Sequence, residues 1–178
     1  MHVDDLRDLT LIKQGKLELH KRRIELASTI ERAIDVVDAA TRHRPRTLEV
    51  TQLAQPVYLD ADPARIEQVF VKLLMNSSRF TGPGGYIWLE VQRHGDEVTI
   101  SVRDDGEGIA GERLPRLFDL YMRRVVPTEG TPLRFAAGLA LAASLIEMHG
   151  GTLSVSSEGP GKGSVFTVRL PIAPAAVH

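Results

Sequence analysis

The chain has 178 residues, a net charge of −1 and no cysteine. The near-neutral charge gives no electrostatic reason to expect a nucleic acid or an acidic membrane as partner, and the lack of cysteine excludes disulfides and thiolate metal sites. No apolar run approaches the ~20 residues that cross a membrane, and the N-terminus does not resemble a signal peptide. We therefore expect one cytoplasmic, well-cored domain without membrane contact.

The first half of the chain predicts alternating helices and short strands. Apolar residues recur at helical spacing in three segments, at 4–19, 27–43 and 64–80. Short β-type runs are predicted at 22–26, 47–50 and 57–60. Asp62 and Pro63 mark the start of the third helix, because aspartate accepts from an unpaired amide and proline suits the first helical position. The breaker TGPGG at 81–85 ends that helix.

The second half predicts two hairpins and further helical segments. YIWLEVQ (86–92) and EVTISVR (97–103) alternate around the turn His94-Gly95-Asp96, which indicates a β-hairpin. The other predicted elements are a short helix, a loop, a long helix and two strands that form a second hairpin, at 114–122, 123–135, 136–149, 152–157 and 164–171. Hairpins mixed with helices indicate an α+β fold, a two-layer sandwich with helices on one face of a mainly antiparallel sheet.

The stretch DDGEGI at 104–109 directly follows the first hairpin. Asp104 can accept a hydrogen bond from a ligand amine, and Gly106 and Gly108 let a ligand approach the backbone closely. A plain turn explains the same residues by turn geometry, and taken alone the pattern favours the turn. A calcium loop fits less well, since alternating acidic ligands and a glutamate at the required offset are absent.

The order of motifs along the chain resembles the ATP-binding catalytic domain of sensor histidine kinases, in the GHKL ATPase superfamily. The matching motifs are the N box RIEQVFVKLLMNSSRFT, the first glycine box DDGEGI, the F box LFDLYM, the second glycine box FAAGLALAASLIEMHGG and the final glycine box GPGKGSVFTVRLP. The resemblance implies the Bergerat-type sandwich of that superfamily in residues 21–172. It also implies that residues 1–20 are the end of a dimerisation helix and its linker. Residues 173–178 are predicted to be a disordered tail.

The resemblance implies ATP as ligand and places its base at the first glycine box. Asp104 would accept from the adenine amine, while Gly106, Gly108 and Ile109 would shape the base pocket. Phe80 would either lie against the adenine face or belong to the core. In this interpretation the neighbouring Asp105 serves only the turn.

The resemblance places Mg²⁺ and the phosphates between the N box and the second glycine box. Asn76 would be the magnesium ligand, because an amide oxygen is a hard donor suited to this ion. The alternative is that Asn76 is a polar helix-end residue that hydrogen bonds nearby. Arg79 would meet phosphate oxygens, and Gly138 and Leu139 would complete the nucleotide site.

Two features depart from the family pattern. Lys72 stands where relatives commonly carry asparagine or an acid, and its ammonium group cannot bind a metal. It either contacts phosphate or extends to solvent, and the second option is favoured. In the second glycine box only Gly138 remains of the expected glycines, because residues 134–137 are RFAA. If those positions need a left-handed backbone, each side chain costs about 1 kcal/mol or more.

The resemblance implies a protein-histidine kinase that transfers the γ-phosphoryl group of ATP to a histidine on a dimerisation domain outside this chain. A response-regulator receiver domain is the second implied partner. No catalytic residue is assigned within the chain, because none of its six histidines lies in a phosphoacceptor motif. The departures motivate one alternative, a degenerate pseudokinase domain that acts by protein interaction. A kinase for a serine on an anti-sigma antagonist is disfavoured by the dimerisation-helix remnant. We expect the isolated chain to be a monomer.

Overall fold

The computed structural model describes residues 3–108 and 133–174. The helices of this part are α1 (Val3–Lys13), α2 (Leu26–Ala40), α3 (Pro63–Phe80) and α4 (Leu133–Met148). The strands are β1 (Arg22–Glu25), β2 (Thr47–Thr51), β3 (Tyr58–Ala61), β4 (Tyr86–His94), β5 (Glu97–Asp104), β6 (Thr152–Ser156) and β7 (Ser164–Pro171). Each predicted strand is therefore confirmed to within two residues.

Three helix boundaries differ from the prediction by three residues or more. The second helix, predicted to reach residue 43, ends at Ala40. The first helix, predicted to reach residue 19, ends at Lys13 because Gly15 takes a left-handed conformation with φ of 68°. The fourth helix begins at Leu133 and so includes three residues that were predicted to belong to a loop. The predicted short helix at 114–122 and most of the predicted loop lie outside the described residues.

The main sheet has five strands in the order β2-β4-β5-β7-β6. β2 runs parallel to β4, and the other neighbours are antiparallel. Alternate residues of the strands point into one buried layer, where they pack against α2, α3 and α4. The central members of this layer are Ile100, Val102, Phe166 and Val168, all fully buried. The α+β sandwich predicted from the hairpins is thus confirmed, and β1 and β3 form a separate two-stranded antiparallel sheet beside it.

Asp62 joins the start of α3 to two other parts of the chain. Its Oδ1 accepts from the amides of the first helical turn at 3.1 and 3.3 Å, which confirms the predicted cap. Its Oδ2 accepts from the His20 amide at 3.0 Å. Its own amide donates to His149 Nε2 at 3.1 Å, while His149 Nδ1 donates to the Leu145 carbonyl at 2.7 Å. His149 is therefore a buried helix-end residue held as the neutral tautomer protonated on Nδ1.

The last described residues attach to the small β1–β3 sheet. The Ala173 amide donates to the Tyr58 carbonyl at 2.8 Å, and Arg23 Nη1 donates to the Pro174 carbonyl at 2.7 Å. The Arg23 guanidinium also lies 4.6 Å from the centre of the Tyr58 ring. Ala173 and Pro174, which the prediction placed in the tail, are therefore held by hydrogen bonds. Among the described residues, no helix combines the length and apolar character that crossing a membrane requires.

Candidate nucleotide site

Asp104 ends β5, and its carboxylate is held on both oxygens. Oδ1 accepts from the Gly106 amide at 2.9 Å, and Oδ2 accepts from the Ser164 hydroxyl at 2.9 Å. Ser164 is the register partner of Asp104 at the start of β7, so adjacent strands fix both residues. Because each carboxylate oxygen has two acceptor positions, the side chain retains capacity for a donor from a ligand.

Burial dominates the electrostatics of Asp104, whose residue is only 3% exposed. Removal from water raises the pKa of Asp104 above its ordinary value of 3.8, and the hydrogen bonds from Gly106 and Ser164 offset this only in part. A buried acceptor whose orientation is already fixed discriminates strongly between ligands that carry a matching donor and those that do not. Asp104 therefore has the environment of a recognition residue.

The glycines after Asp104 are required by close backbone packing. A Cβ on Gly106 would stand 2.3 Å from the Phe80 carbonyl oxygen. Gly108 has φ of 70°, and a Cβ there would stand 2.1 Å from the carbonyl oxygen of Gly159. Real Cβ atoms do not approach an oxygen so closely, so both positions exclude any side chain. Residues 104–108 are consequently packed between the end of α3 and the β6–β7 loop.

Backbone hydrogen bonds join the same three segments. The Glu107 amide donates to the Phe80 carbonyl at 3.2 Å, and the Gly161 amide donates to the Glu107 carbonyl at 2.6 Å. Asp105 is exposed, and its Oδ1 accepts from the Tyr86 amide at 3.0 Å, which joins the turn to the start of β4. The structure thus brings the first and final glycine boxes and the end of the N box together, although they are far apart in sequence.

Asn76 lies on α3, and its side-chain oxygen has no partner within the part of the chain that the structure describes. The residue is 8% exposed, and its Oδ1 is buried without a hydrogen bond to any group in residues 3–108 and 133–174. An orphaned buried carbonyl oxygen costs free energy, so such atoms call for an explanation. A hard cation satisfies an amide oxygen of this kind. The donor chemistry therefore fits the Mg²⁺ that the resemblance implies.

Arg79 and Phe80 occupy the last turn of α3. Arg79 is exposed, and its guanidinium lies 5.8 Å from the centre of the half-buried Phe80 ring. The exposed guanidinium leaves its donors open to an anionic ligand. The predicted roles of Arg79 at the phosphates and Phe80 at the base stay predictions.

The second glycine box lies at the start of α4, facing α3. Gly138 is buried, and a Cβ there would stand 3.7 Å from Lys72 Cδ. Residues 134–137 are helical, so their side chains incur no penalty for a left-handed backbone. Leu139 is 2% exposed and its side chain belongs to the core. The predicted site residue Ile109 lies outside the described residues.

Sequence reasoning misjudged one residue near these groups and missed another. Lys72 does not extend to solvent: its Nζ lies 2.6 Å from Asp5 Oδ2, and its side chain is 18% exposed. The favoured prediction for Lys72 is therefore wrong. Ser164, which orients Asp104, was assigned only to a strand. Its position directly after Gly163, within the final glycine box, was the one available signal, because strand register is not visible in a single sequence.

Comparison with known proteins agrees with this geometry. The profile describing histidine kinase-, DNA gyrase B- and HSP90-like ATPases matches residues 61–174. The chain is 35% identical to the sensor histidine kinase ZraS of Escherichia coli K12, over 92% of this chain and 33% of ZraS. It is 31% identical to the circadian input-output histidine kinase CikA of Synechococcus elongatus, over 95% of this chain and 22% of CikA. The chain thus spans a third or less of the length of these curated relatives.

Solved structures have the same fold. The histidine kinase AdeS of Acinetobacter baumannii superposes with a TM-score of 0.75 at 26% identity, over 97% of this chain and 77% of that one. Full-length ShkA, solved in complex with AMPPNP, superposes with a TM-score of 0.79 over 98% of this chain and 36% of that one. Its 23% identity limits that likeness to the fold. These relatives lend no support to the alternative of a degenerate pseudokinase domain.

Proposed function

We propose that this chain, which belongs to the family of histidine kinase-, DNA gyrase B- and HSP90-like ATPases, is the ATP-binding catalytic domain of a sensor histidine kinase. Its acceptor is a histidine on a dimerisation domain outside residues 1–178, and a response-regulator receiver domain takes the phosphoryl group afterwards. Residues 1–20 carry the end of the dimerisation helix and its linker. The domain works in the cytoplasm and is a monomer when isolated.

The observation that carries this proposal is the fixed, buried carboxylate of Asp104. An exocyclic amine such as that of adenine supplies the donor that this acceptor lacks, whereas the guanine ring presents a carbonyl oxygen at the same position. Two like acceptors facing each other leave a buried polar group unpaired, which disfavours binding. Asp104 therefore selects ATP over GTP.

Asn76 is proposed to hold Mg²⁺ through its orphaned Oδ1, and Arg79 to contact phosphate oxygens. Gly106, Gly108 and, from the motif alone, Ile109 are proposed to line the base pocket, with Phe80 beside it. Gly138 is proposed to lie under the phosphates next to the backbone of Leu139, since the Leu139 side chain belongs to the core. Bound Mg·ATP supplies the transferable phosphoryl group, and the metal neutralises charge on its oxygens. The task of this chain is to bind and orient, since the nucleophile belongs to another domain.

Calorimetric titration with ATP and GTP tests the proposal. We expect saturable ATP binding, and Asp104→Asn should weaken it by about 10- to 100-fold, because a hydrogen bond to a charged group contributes about 1.5–3 kcal/mol. Asp105→Asn is the matched control, since it removes an equal charge from the adjacent residue and leaves an oxygen for the Tyr86 amide. The control should bind ATP as the wild type does. Equal losses in the two variants, or no ATP binding by the wild type, would refute the assignment.

Metal dependence and phosphoryl transfer complete the test. Asn76→Ala should bind ATP equally with Mg²⁺ and with a chelator, whereas the wild type should bind more tightly with Mg²⁺. Incubation with γ-labelled ATP and an added phosphoacceptor domain should yield an acid-labile phosphohistidine on that domain. ATP binding without any such transfer would show that the domain binds nucleotide but does not phosphorylate.

A further inference from the structure

Helix α1 is attached to α3 by two ion pairs. Lys72 Nζ lies 2.6 Å from Asp5 Oδ2, and Arg65 Nη1 lies 2.9 Å from Asp8 Oδ2. Leu9 and Ile12 of α1 pack against the hydrophobic core. Asp5 is only 4% exposed, so its charge depends on Lys72 for compensation. The helix is therefore held by apolar contact and by two acids on the face it turns towards α3.

The Asp5–Lys72 pair lies in the groove between α3 and α4. Lys72 stands one helical turn before Asn76, so the two side chains share a face of α3. Asp5 Oδ2 lies 3.9 Å from where a Cβ on Gly138 would stand, and Lys72 Cδ lies 3.7 Å from the same point. The carboxylate of α1 consequently lies beside the residues proposed to bind the phosphates.

A carboxylate and a phosphate compete for the same cationic partner. Both present anionic oxygens that accept charge-assisted hydrogen bonds from an ammonium group. If Lys72 turned to a phosphate while α1 stayed in place, Asp5 would remain buried, unpaired and close to a second negative charge. Such an arrangement is strongly unfavourable, because an uncompensated buried charge costs several kcal/mol. Phosphate on Lys72 and α1 in its docked position therefore exclude each other.

From this we infer that Lys72 is a further nucleotide-binding residue. In the nucleotide-free protein its ammonium group is paired with Asp5 of α1. When ATP binds, a phosphate replaces Asp5 as the partner of Lys72, and α1 leaves the groove. The inference rests on the proposed function. Lys72, which departs from the family pattern, would then bind either the Asp5 carboxylate or a phosphate. By linkage, whatever draws α1 away from α3 raises the affinity for ATP, and ATP weakens the docking of α1 by the same factor.

The second ion pair provides a matched control. Arg65 lies about three helical turns before Asn76, whereas Lys72 lies one turn before it. Asp8→Asn breaks only the Arg65 pair, whose side chains are the more exposed, so it weakens the docking of α1 less and leaves Asp5 on Lys72. Asp5→Asn weakens docking and also removes the competing anion. A difference between the two variants therefore reports competition for Lys72 and not general loosening of α1.

The experiment combines calorimetry with hydrogen exchange, using ATP and adenosine as probes. We expect Asp5→Asn to bind ATP about 10-fold more tightly than the wild type, in the range typical of coupled sites. Asp8→Asn should change ATP affinity by less than about 3-fold, and Lys72→Met should weaken it by about 10-fold. Adenosine, which has no phosphate, should bind all four proteins equally. In the wild-type chain, ATP should accelerate amide exchange in residues 3–13, and adenosine should not.

Two outcomes separate this inference from the proposed function. If ATP binding depends on Asp104 but is equal in the wild type, Asp5→Asn and Lys72→Met, the inference fails alone. If neither the wild type nor Asp5→Asn binds ATP, the proposed function fails and the inference with it. The exchange measurement needs no substitution, so it decides the matter even if Lys72→Met leaves Asp5 unpaired and does not fold. Unchanged or slower exchange of α1 with ATP overturns the inference.

Discussion

Gly108 offers a direct test of how the base loop, residues 104–108, is held in place. We consider Gly108→Ala, which adds a single methyl group. At φ of 70° an L-residue costs about 1–2 kcal/mol. The new Cβ would also stand 2.1 Å from the Gly159 oxygen, so the β6–β7 loop must move. That movement puts at risk the 2.6 Å bond from the Gly161 amide to the Glu107 carbonyl, a contribution of about 1 kcal/mol.

Together these effects predict a loss of about 2–3 kcal/mol in the free energy of unfolding. For a chain of this size about 1 kcal/mol shifts the melting temperature by about 2–4 °C, so the expected decrease is about 4–12 °C. Gly161→Ala is the matched control in the facing loop: its φ is 77°, but a Cβ there meets no atom within 4 Å. It should lose only the backbone contribution, about 1–2 kcal/mol.

Thermal unfolding followed by circular dichroism measures both variants under identical conditions. The reasoning requires a clearly larger decrease for Gly108→Ala than for Gly161→Ala. Equal decreases would mean that the contact with Gly159 carries no weight and that the base loop is free to move away from the β6–β7 loop.

Two further predictions concern the junction at the start of α3. Burial lowers the pKa of His149 below its ordinary 6.5, so the unfolded chain takes up this proton more readily than the folded one. The free energy of unfolding should therefore decrease as the pH falls below 6.5. Urea titrations at several pH values should show a smaller decrease in the free energy of unfolding for His149→Gln than for the wild type. The difference between the two proteins isolates the effect of His149 from that of Asp104, whose raised pKa makes the folded state more stable as the pH falls. Asp62→Ala should lower the free energy of unfolding by about 0.5–2 kcal/mol through loss of the cap alone. Asp62→Asn should retain part of this stabilisation, and the urea midpoints of the variants measure both effects. Equal midpoints for the wild type and Asp62→Ala would contradict the cap.

Much of the fold could be predicted because its determinants are local. The cap at Asp62, the turn at His94-Gly95-Asp96 and the alternation along β4 and β5 each lie within a few neighbouring residues. The end of α1 was harder to predict, since leucines at positions 17 and 19 continue the helical spacing. There the left-handed Gly15 outweighs periodicity, and Leu17 reaches the core from an extended segment.

In the candidate site, too, the local features could be predicted and the long-range contacts could not. The order of glycine boxes pointed to Asp104, Gly106 and Gly108, because motif residues lie next to one another in sequence. The contact between Asp5 and Lys72 joins positions 67 residues apart. Nothing around Asp5 distinguishes it from Asp8, since both are acids on a short amphipathic helix. Long-range pairing of side chains depends on how helices pack, and local patterns carry no record of that.

The contacts that attach the last described residues to the β1–β3 sheet have a mechanical consequence. They involve Arg23, Tyr58, Ala173 and Pro174. Arg23 lies where the chain enters the sandwich, and Pro174 lies where the chain leaves it, yet a single hydrogen bond of 2.7 Å spans them. Polypeptide attached on either side therefore emerges from one corner of the domain. A pull applied to the chain between α1 and β1 therefore acts directly on the segment that follows β7, through the Arg23–Pro174 hydrogen bond.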